Sequence, residues 1–283
     1  MGIGGKGRHM EAGFASHDAS RRSSRIRMAV VLGGIALLIV AGDTLWRATD
    51  TQATGTSDPE QILRGSVDAM GGPAPATCDA RGTIHIEEGG SSRDGTFEVL
   101  TKAAQETNDI IDAGQHEEHI YNDGSAADVD GAQKTPLSKE RMLSAESVHL
   151  PLILFQALLG DPDTAYRYIG SETVDGTSCD HIRVWDTFAS QPDLQDLAPI
   201  SAKDIWIDSW THYPVKIATT RCLARGGIYQ VPMEVHYADF QDSSGVKYPS
   251  RIRTSRNGVA WTSVALNSLT IDGPVSDDAF GTN

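Results

Sequence analysis

The densest group of side chains able to ligate a metal or move a proton is His116-Glu117-Glu118-His119, in a chain of 283 residues with nine histidines. Zinc-binding helices place two histidines at i and i+4 with a glutamate beside the first, a spacing that this group does not have. In a strand, residues three apart point to opposite faces, so the two imidazoles would not share an ion. The group reads as a solvated strand end, and no metal site is expected. His85, His181 and His236 each lie beside apolar neighbours in alternating runs (Ile84 and Ile86, Ile182, Val235), which puts them on the face opposite the core. A serine nucleophile needs a Gly-x-Ser-x-Gly elbow, and the pairs Gly124-Ser125 and Gly170-Ser171 lack the second glycine. The glycine-rich stretch 2–7 has no strand before it and matches neither a phosphate loop nor a dinucleotide turn. An acid pair among the 38 Asp and Glu is the one catalytic chemistry left, and a solubilising surface is the favoured role for those acids. No catalytic residue and no cofactor are expected.

Cys78, Cys179 and Cys222 show no Cys-x-x-Cys or metal spacing. One pair plus one free thiol is an arrangement open to an odd set. Cys179 and Cys222 fall at opposite ends of neighbouring strands, which disfavours joining them and leaves Cys78 as the partner for either.

The elements that position these residues follow from periodicity. Ser57 or Asp58 can cap a helix that has Pro59 in its first turn, Ile62, Leu63, Val67 and Met70 on one face, and Gly71-Gly72-Pro73 as its stop. The period then switches to two: Ile84 and Ile86, then Phe97 and Val99, with Gly89-Gly90 and Asp94-Gly95 read as turns. Ile110-Ile111 and Ile120-Tyr121 mark another strand pair. The run 137–159 interrupts the strands, and its half Leu150–Leu159 is apolar on nearly every face. Pro151 lies in its first turn and Gly160-Asp161-Pro162 ends it. Strands resume over 177–185, 204–208, 215–222, 232–240, 248–255 and 259–271, with Asn257-Gly258 as a two-residue hairpin turn. About ten strands around an apolar helix predict a mainly β (α+β) domain. Its architecture is a strongly curved antiparallel sheet or incomplete β-barrel with helices on the concave side.

The charge is asymmetric. Residues 1–27 hold six basic side chains against Glu11 and Asp18, a net of +4; the whole chain is at −14, so the remainder carries −18. An acidic body excludes a nucleic-acid binder, which needs a basic face to neutralise phosphates. The stretch 28–42 is uncharged and apolar, extendable to Leu45 and Trp46, and is read as a transmembrane anchor or signal segment over 28–46. The arginines before it orient the tip towards the cytoplasm and the body outward. The expected organisation is a basic cytoplasmic tip (1–27), the membrane segment (28–46), a linker (47–56) and an exported domain (57–283). The domain is inner-membrane anchored, or periplasmic or secreted if the segment is cleaved.

The run Ile205-Trp-Ile-Asp208, Thr211-His-Tyr-Pro-Val-Lys-Ile217, Val235-His-Tyr-Ala-Asp-Phe240, Gly245-Val-Lys-Tyr-Pro249 and Val275-Ser-Asp-Asp-Ala-Phe280 resembles the LolA/LolB-like superfamily of outer-membrane lipoprotein-sorting proteins. The resemblance spans roughly Ser57 to Phe280. It implies a half-barrel whose apolar concavity holds acyl chains and performs no reaction, with a lipid or lipoprotein acyl chain as partner. No single residue transfers as a functional position. The expected lining therefore comes from alternation alone: Ile84, Ile86, Phe97, Val99, Leu152, Phe155, Ile205, Ile207, Val235 and Tyr237. All ten read equally well as plain core. The rival readings are a membrane-tethered sensor ectodomain of the same fold with an envelope protein partner, and a secreted hydrolase.

Overall fold

A computed structural model describes residues 58–103, 105–144, 147–222 and 229–282. The basic tip, the apolar segment and the linker lie outside the described residues. Helix α1 (Pro59–Ala69) begins where Asp58 accepts hydrogen bonds from the Glu60 and Gln61 N–H groups, and Ile62, Leu63 and Val67 are its buried stripe.

Thirteen strands form one antiparallel sheet: β1 (Thr77–Glu88), β2 (Ser91–Lys102), β3 (Glu106–Asp112), β4 (His116–Asn122), β5 (Ser125–Asp130), β6 (Gln133–Pro136), β7 (Thr164–Val174), β8 (Thr177–Asp186), β9 (Lys203–Asp208), β10 (Pro214–Cys222), β11 (Gln230–Ser243), β12 (Val246–Arg256) and β13 (Val259–Ile271). Their order is β6-β5-β4-β3-β2-β1-β13-β12-β11-β10-β9-β8-β7. Every neighbour pair but one is a sequence-adjacent meander. The exception, β1 against β13, joins the two halves, with Ile84 opposite Val264. The sheet is not closed.

Among the described residues three α-helical pieces interrupt the strands, α2 (Lys139–Leu143), α3 (Pro151–Gly160) and the short α4 (Ala198–Ser201), the last preceded by a 3-10 helix over Pro192–Leu197. One apolar cluster unites α1, α3 and the inner residues of most strands, among them Leu63, Phe97, Phe155, Ile205 and Ile252. A second, small cluster of Val174, Cys179 and Trp206 lies apart from it. Among the described residues no helix is long and apolar enough to cross a membrane.

Several details differ from the expectation. Asp94-Gly95 is no turn: it continues β2, with Gly95 opposite Ile84. A Cβ on Gly95 would collide with the Asp112 carbonyl oxygen and with Ala113, so the glycine serves a close approach of chain, not a reversal. β7, absent from the expected strands, has hardly a buried residue along it, and β5 and β6 are short and mostly polar. None of the three cysteines is paired: Cys78, Cys179 and Cys222 are all free and buried.

Candidate functional site

Helix α3 occupies the middle of the site. Pro151 supplies a preset φ at its first position, and the residues from Pro151 to Phe155 are buried, as an all-apolar sequence requires. Its second half is different: Gln156 to Leu159 are half-buried, and Gln156, Ala157 and Leu158 border a cleft of about 460 Å³. One wall is apolar, from Ile153, Leu154, Ala157 and Leu158. The other comes from the strand ends and carries Gln105, Thr107, Tyr121 and Asp123. The helix is fixed at this end by hydrogen bonds from the Tyr166 hydroxyl to the Leu158 carbonyl, 2.8 Å, and from the Ala74 N–H to Gln156 Oε1, 3.3 Å. A cleft of this size, apolar on one wall and polar on the other, suits an amphiphile.

The approach to α3 is held by buried polar groups. Asp109, on β3, accepts from the Ser147 hydroxyl at 2.8 Å and pairs with His149 Nδ1 at 2.9 Å. Burial raises the Asp109 carboxyl, but the charge and hydrogen bond of His149 and the bond from Ser147 outweigh it, holding the group below the usual carboxylate range. The His149 ring lies edge-on to Phe97, centroids 4.7 Å apart. Between these anchors the Val148 carbonyl accepts from the Tyr237 hydroxyl at 2.6 Å, so β3 and β11 both grip the segment. Burial pushes the Tyr237 phenol well up, which keeps it a donor.

All ten residues expected to line a groove belong to the main apolar cluster: Ile84, Ile86, Phe97, Val99, Leu152, Phe155, Ile205, Ile207, Val235 and Tyr237 are each at most 6% exposed. The structure brings them together around α1 and α3, and none of them borders the 460 Å³ cleft. Leu152 alone of the ten borders a second, narrow crevice beside Cys78, Val246 and Leu269. The cleft's own side chains carry little local signal in the sequence. Tyr121 lay in a strand already read there, and Leu158 in the helix, but Thr107 and Asp123 carry no pattern that marks them.

The histidines fall where alternation put them. His85 meets Asp94 at 2.7 Å, and His236 meets Asp175 at 2.8 Å. His181 stacks on Trp206 and pairs with Glu172 and Asp204. His116 pairs with Asp112 and Glu118, whereas His119 pairs with Asp128, so the two imidazoles turn to different partners. Hydrogen bonds from its ring N–H groups to Glu118 and Asp112 raise the His116 imidazole.

No protein-family model matches the sequence, and no curated protein matches it. Solved structures do match in shape. A DUF1329 family protein from Desulfovibrio piger superposes with a TM-score of 0.55 at 14% identity, over 80% of this chain and 98% of that one. A LolA superfamily protein from Nitrosomonas europaea gives 0.53 at 13% identity, over 79% and 97%. A domain from Vibrio parahaemolyticus assigned to outer membrane lipoprotein sorting gives 0.52 at 10% identity, over 80% and 97%. The open antiparallel sheet wrapped around α1 and α3 is thus a LolA-like half-barrel.

Proposed function

We propose that this chain is a non-enzymatic protein of the cell envelope that holds the acyl chain of a lipid or lipoprotein in the cleft beside α3. The observation that carries this reading is the two-sided cleft itself: Ala157 and Leu158 offer apolar surface to a chain, while Thr107, Gln105 and Tyr121 line the opposite wall with hydrogen-bonding groups for the polar end of the same molecule. Each methylene that leaves water against the apolar wall contributes about 0.8 kcal/mol, so a long chain suffices for binding without any charged contact. The LolA-like fold is consistent with such a role, and the apolar stretch 28–42 behind a basic tip would keep the domain beside a membrane.

Mass spectrometry of organic extracts from the purified full chain tests the reading. Acyl lipids present in near-equimolar amount are the expected result. An extract free of lipid, from a protein that also fails to take up added fatty acid, overturns it. A lipid-free protein that instead retains a membrane partner would favour the sensor ectodomain.

A further inference from the structure

Arg221 and Arg256 stand out by what they lack. On β10, Ile217 faces the core, so Thr219 and Arg221 follow it on the same face. On β12, Arg256 sits opposite Met233, whose face is continued by Val235 and Tyr237. Arg221 is opposite Val231 on the same β11, so a single strand separates the two arginines. Two strand spacings are roughly 10 Å, within the joint reach of two such side chains. Both are half-buried. The Arg256 guanidinium lies over the Trp261 ring, 2.9 Å from its centroid, and its Nε is fully buried without a hydrogen-bond partner. Arg221 makes no hydrogen bond or ion pair among the described residues.

Of the four nearby acids three are engaged elsewhere, and the fourth, Glu88, is exposed at the end of β1. Asp109 is taken by Ser147 and His149, Asp128 by His119 and Arg141, and Glu117 by Arg93. The surroundings act electrostatically only: Asp128 and Asp109 attract Arg221, while Glu88 and Glu117 attract Arg256. Burial lowers the Arg256 guanidinium to about 10, and the charge of Arg221 adds to the effect, so Arg256 stays charged at neutral pH. Two like charges withdrawn from water, with forked donors and no hydrogen-bond acceptor among the described residues, are unfavourable unless an anion joins them. A guanidinium fork matches the oxygens of a phosphate two at a time, and the Trp261 ring fixes the plane of one fork.

We propose that Arg221 and Arg256 form a binding site for a phosphate-type oxyanion on the inner face of the half-barrel, either free or as the headgroup of a phospholipid. The site shares no residue with the cleft beside α3 and does not depend on acyl binding there.

Titration calorimetry of the full chain with inorganic phosphate tests it, comparing wild type with Arg221→Gln/Arg256→Gln, with Arg256→Lys and with Arg253→Gln. Arg253 is an exposed arginine directly opposite His236, on the other face of β12 from Arg256, and serves as the control. Wild type and Arg253→Gln should bind alike, the double variant about ten-fold or more weakly, and Arg256→Lys in between, because it keeps the charge and loses the fork. Circular dichroism melts establish that each variant is folded. If the double variant does not fold, the Arg256→Lys comparison decides alone. Phosphate binding absent in wild type, unchanged in the variants, or weakened as much by Arg253→Gln overturns the proposal. Flotation with phosphatidylglycerol vesicles then separates the sources: retention that both added phosphate and the double variant abolish identifies a headgroup, and phosphate binding without such retention identifies the free ion.

Discussion

Asp109 on β3 and His149, two residues before α3, form a buried carboxylate–imidazole pair at 2.9 Å that fastens the start of the central helix to the wall of the sheet. The second carboxylate oxygen accepts from Ser147, so one side chain fixes two points of the same segment. Replacing Asp109 by Asn keeps the shape and removes the charge; the expected loss is about 3 kcal/mol, read as a lower midpoint in urea unfolding. Because the folded Asp109 carboxyl lies below its ordinary value near 3.9, its contribution is complete above about pH 4 and is lost as pH falls through the lower folded value. The difference between wild type and Asp109→Asn should therefore shrink as pH falls below about 4. A difference that persists unchanged at lower pH would show that the charge is not what the pair contributes.

Tyr237→Phe removes the donor to the Val148 carbonyl and leaves that acceptor buried. The expected cost is about 1–2 kcal/mol. Since Tyr237 and Asp109 hold adjacent residues of one segment, the double variant should lose less than the sum of the single losses. Strict additivity in the same unfolding measurement would mean that the two anchors act independently.

The β1–β13 seam carries all the strand pairing between the halves β1–β6 and β7–β13. Gly82 lies at a bulge in that seam, where a Cβ would overlap the Ala265 carbonyl oxygen. Gly82→Ala should destabilise by about 3 kcal/mol or more, whereas Gly65→Ala, in helix α1 with open space around it and no positive φ, should be neutral or slightly stabilising. Thermal melts of Gly82→Ala within a degree or so of wild type would show that the seam yields freely.

Burial pushes the thiols of Cys78 and Cys179 up to about 11 and raises that of Cys222 as well. At pH 8 roughly one in a thousand of the first two is thiolate, so a disulfide reagent should label the native protein very slowly and all three cysteines promptly in denaturant. Fast native labelling of any of them would contradict their burial.

Much of the fold could be read from residue order because its elements have one wet and one dry face. The cap Asp58 with Pro59, the alternation of Ile84 with Ile86 and of Val235 with Tyr237, and the Asn257-Gly258 turn each signal their element locally. β7 gave no such signal: along Thr164–Val174 only Val174 is buried, so there is no dry face to detect. Gly95 misled because a glycine that admits a neighbouring chain looks the same in sequence as one that turns. The ten residues chosen by alternation proved to be mutual core partners, since alternation reports which side is dry and not whether anything remains open there. The cleft depends on how α3 meets the strand ends, and Asp109, Arg221 and Arg256 acquire their surroundings only through long-range register.

Uptake of a fluorescent fatty acid such as cis-parinaric acid tests the central claim most directly, in wild type and in Ala157→Trp. Ala157 is half-buried on the cleft wall, so an indole there fills the cleft without replacing a fully buried side chain. Saturable fluorescence enhancement in wild type, lost in a folded Ala157→Trp variant, is the predicted result. No saturable uptake by wild type, or equal uptake by both proteins, would contradict acyl binding beside α3.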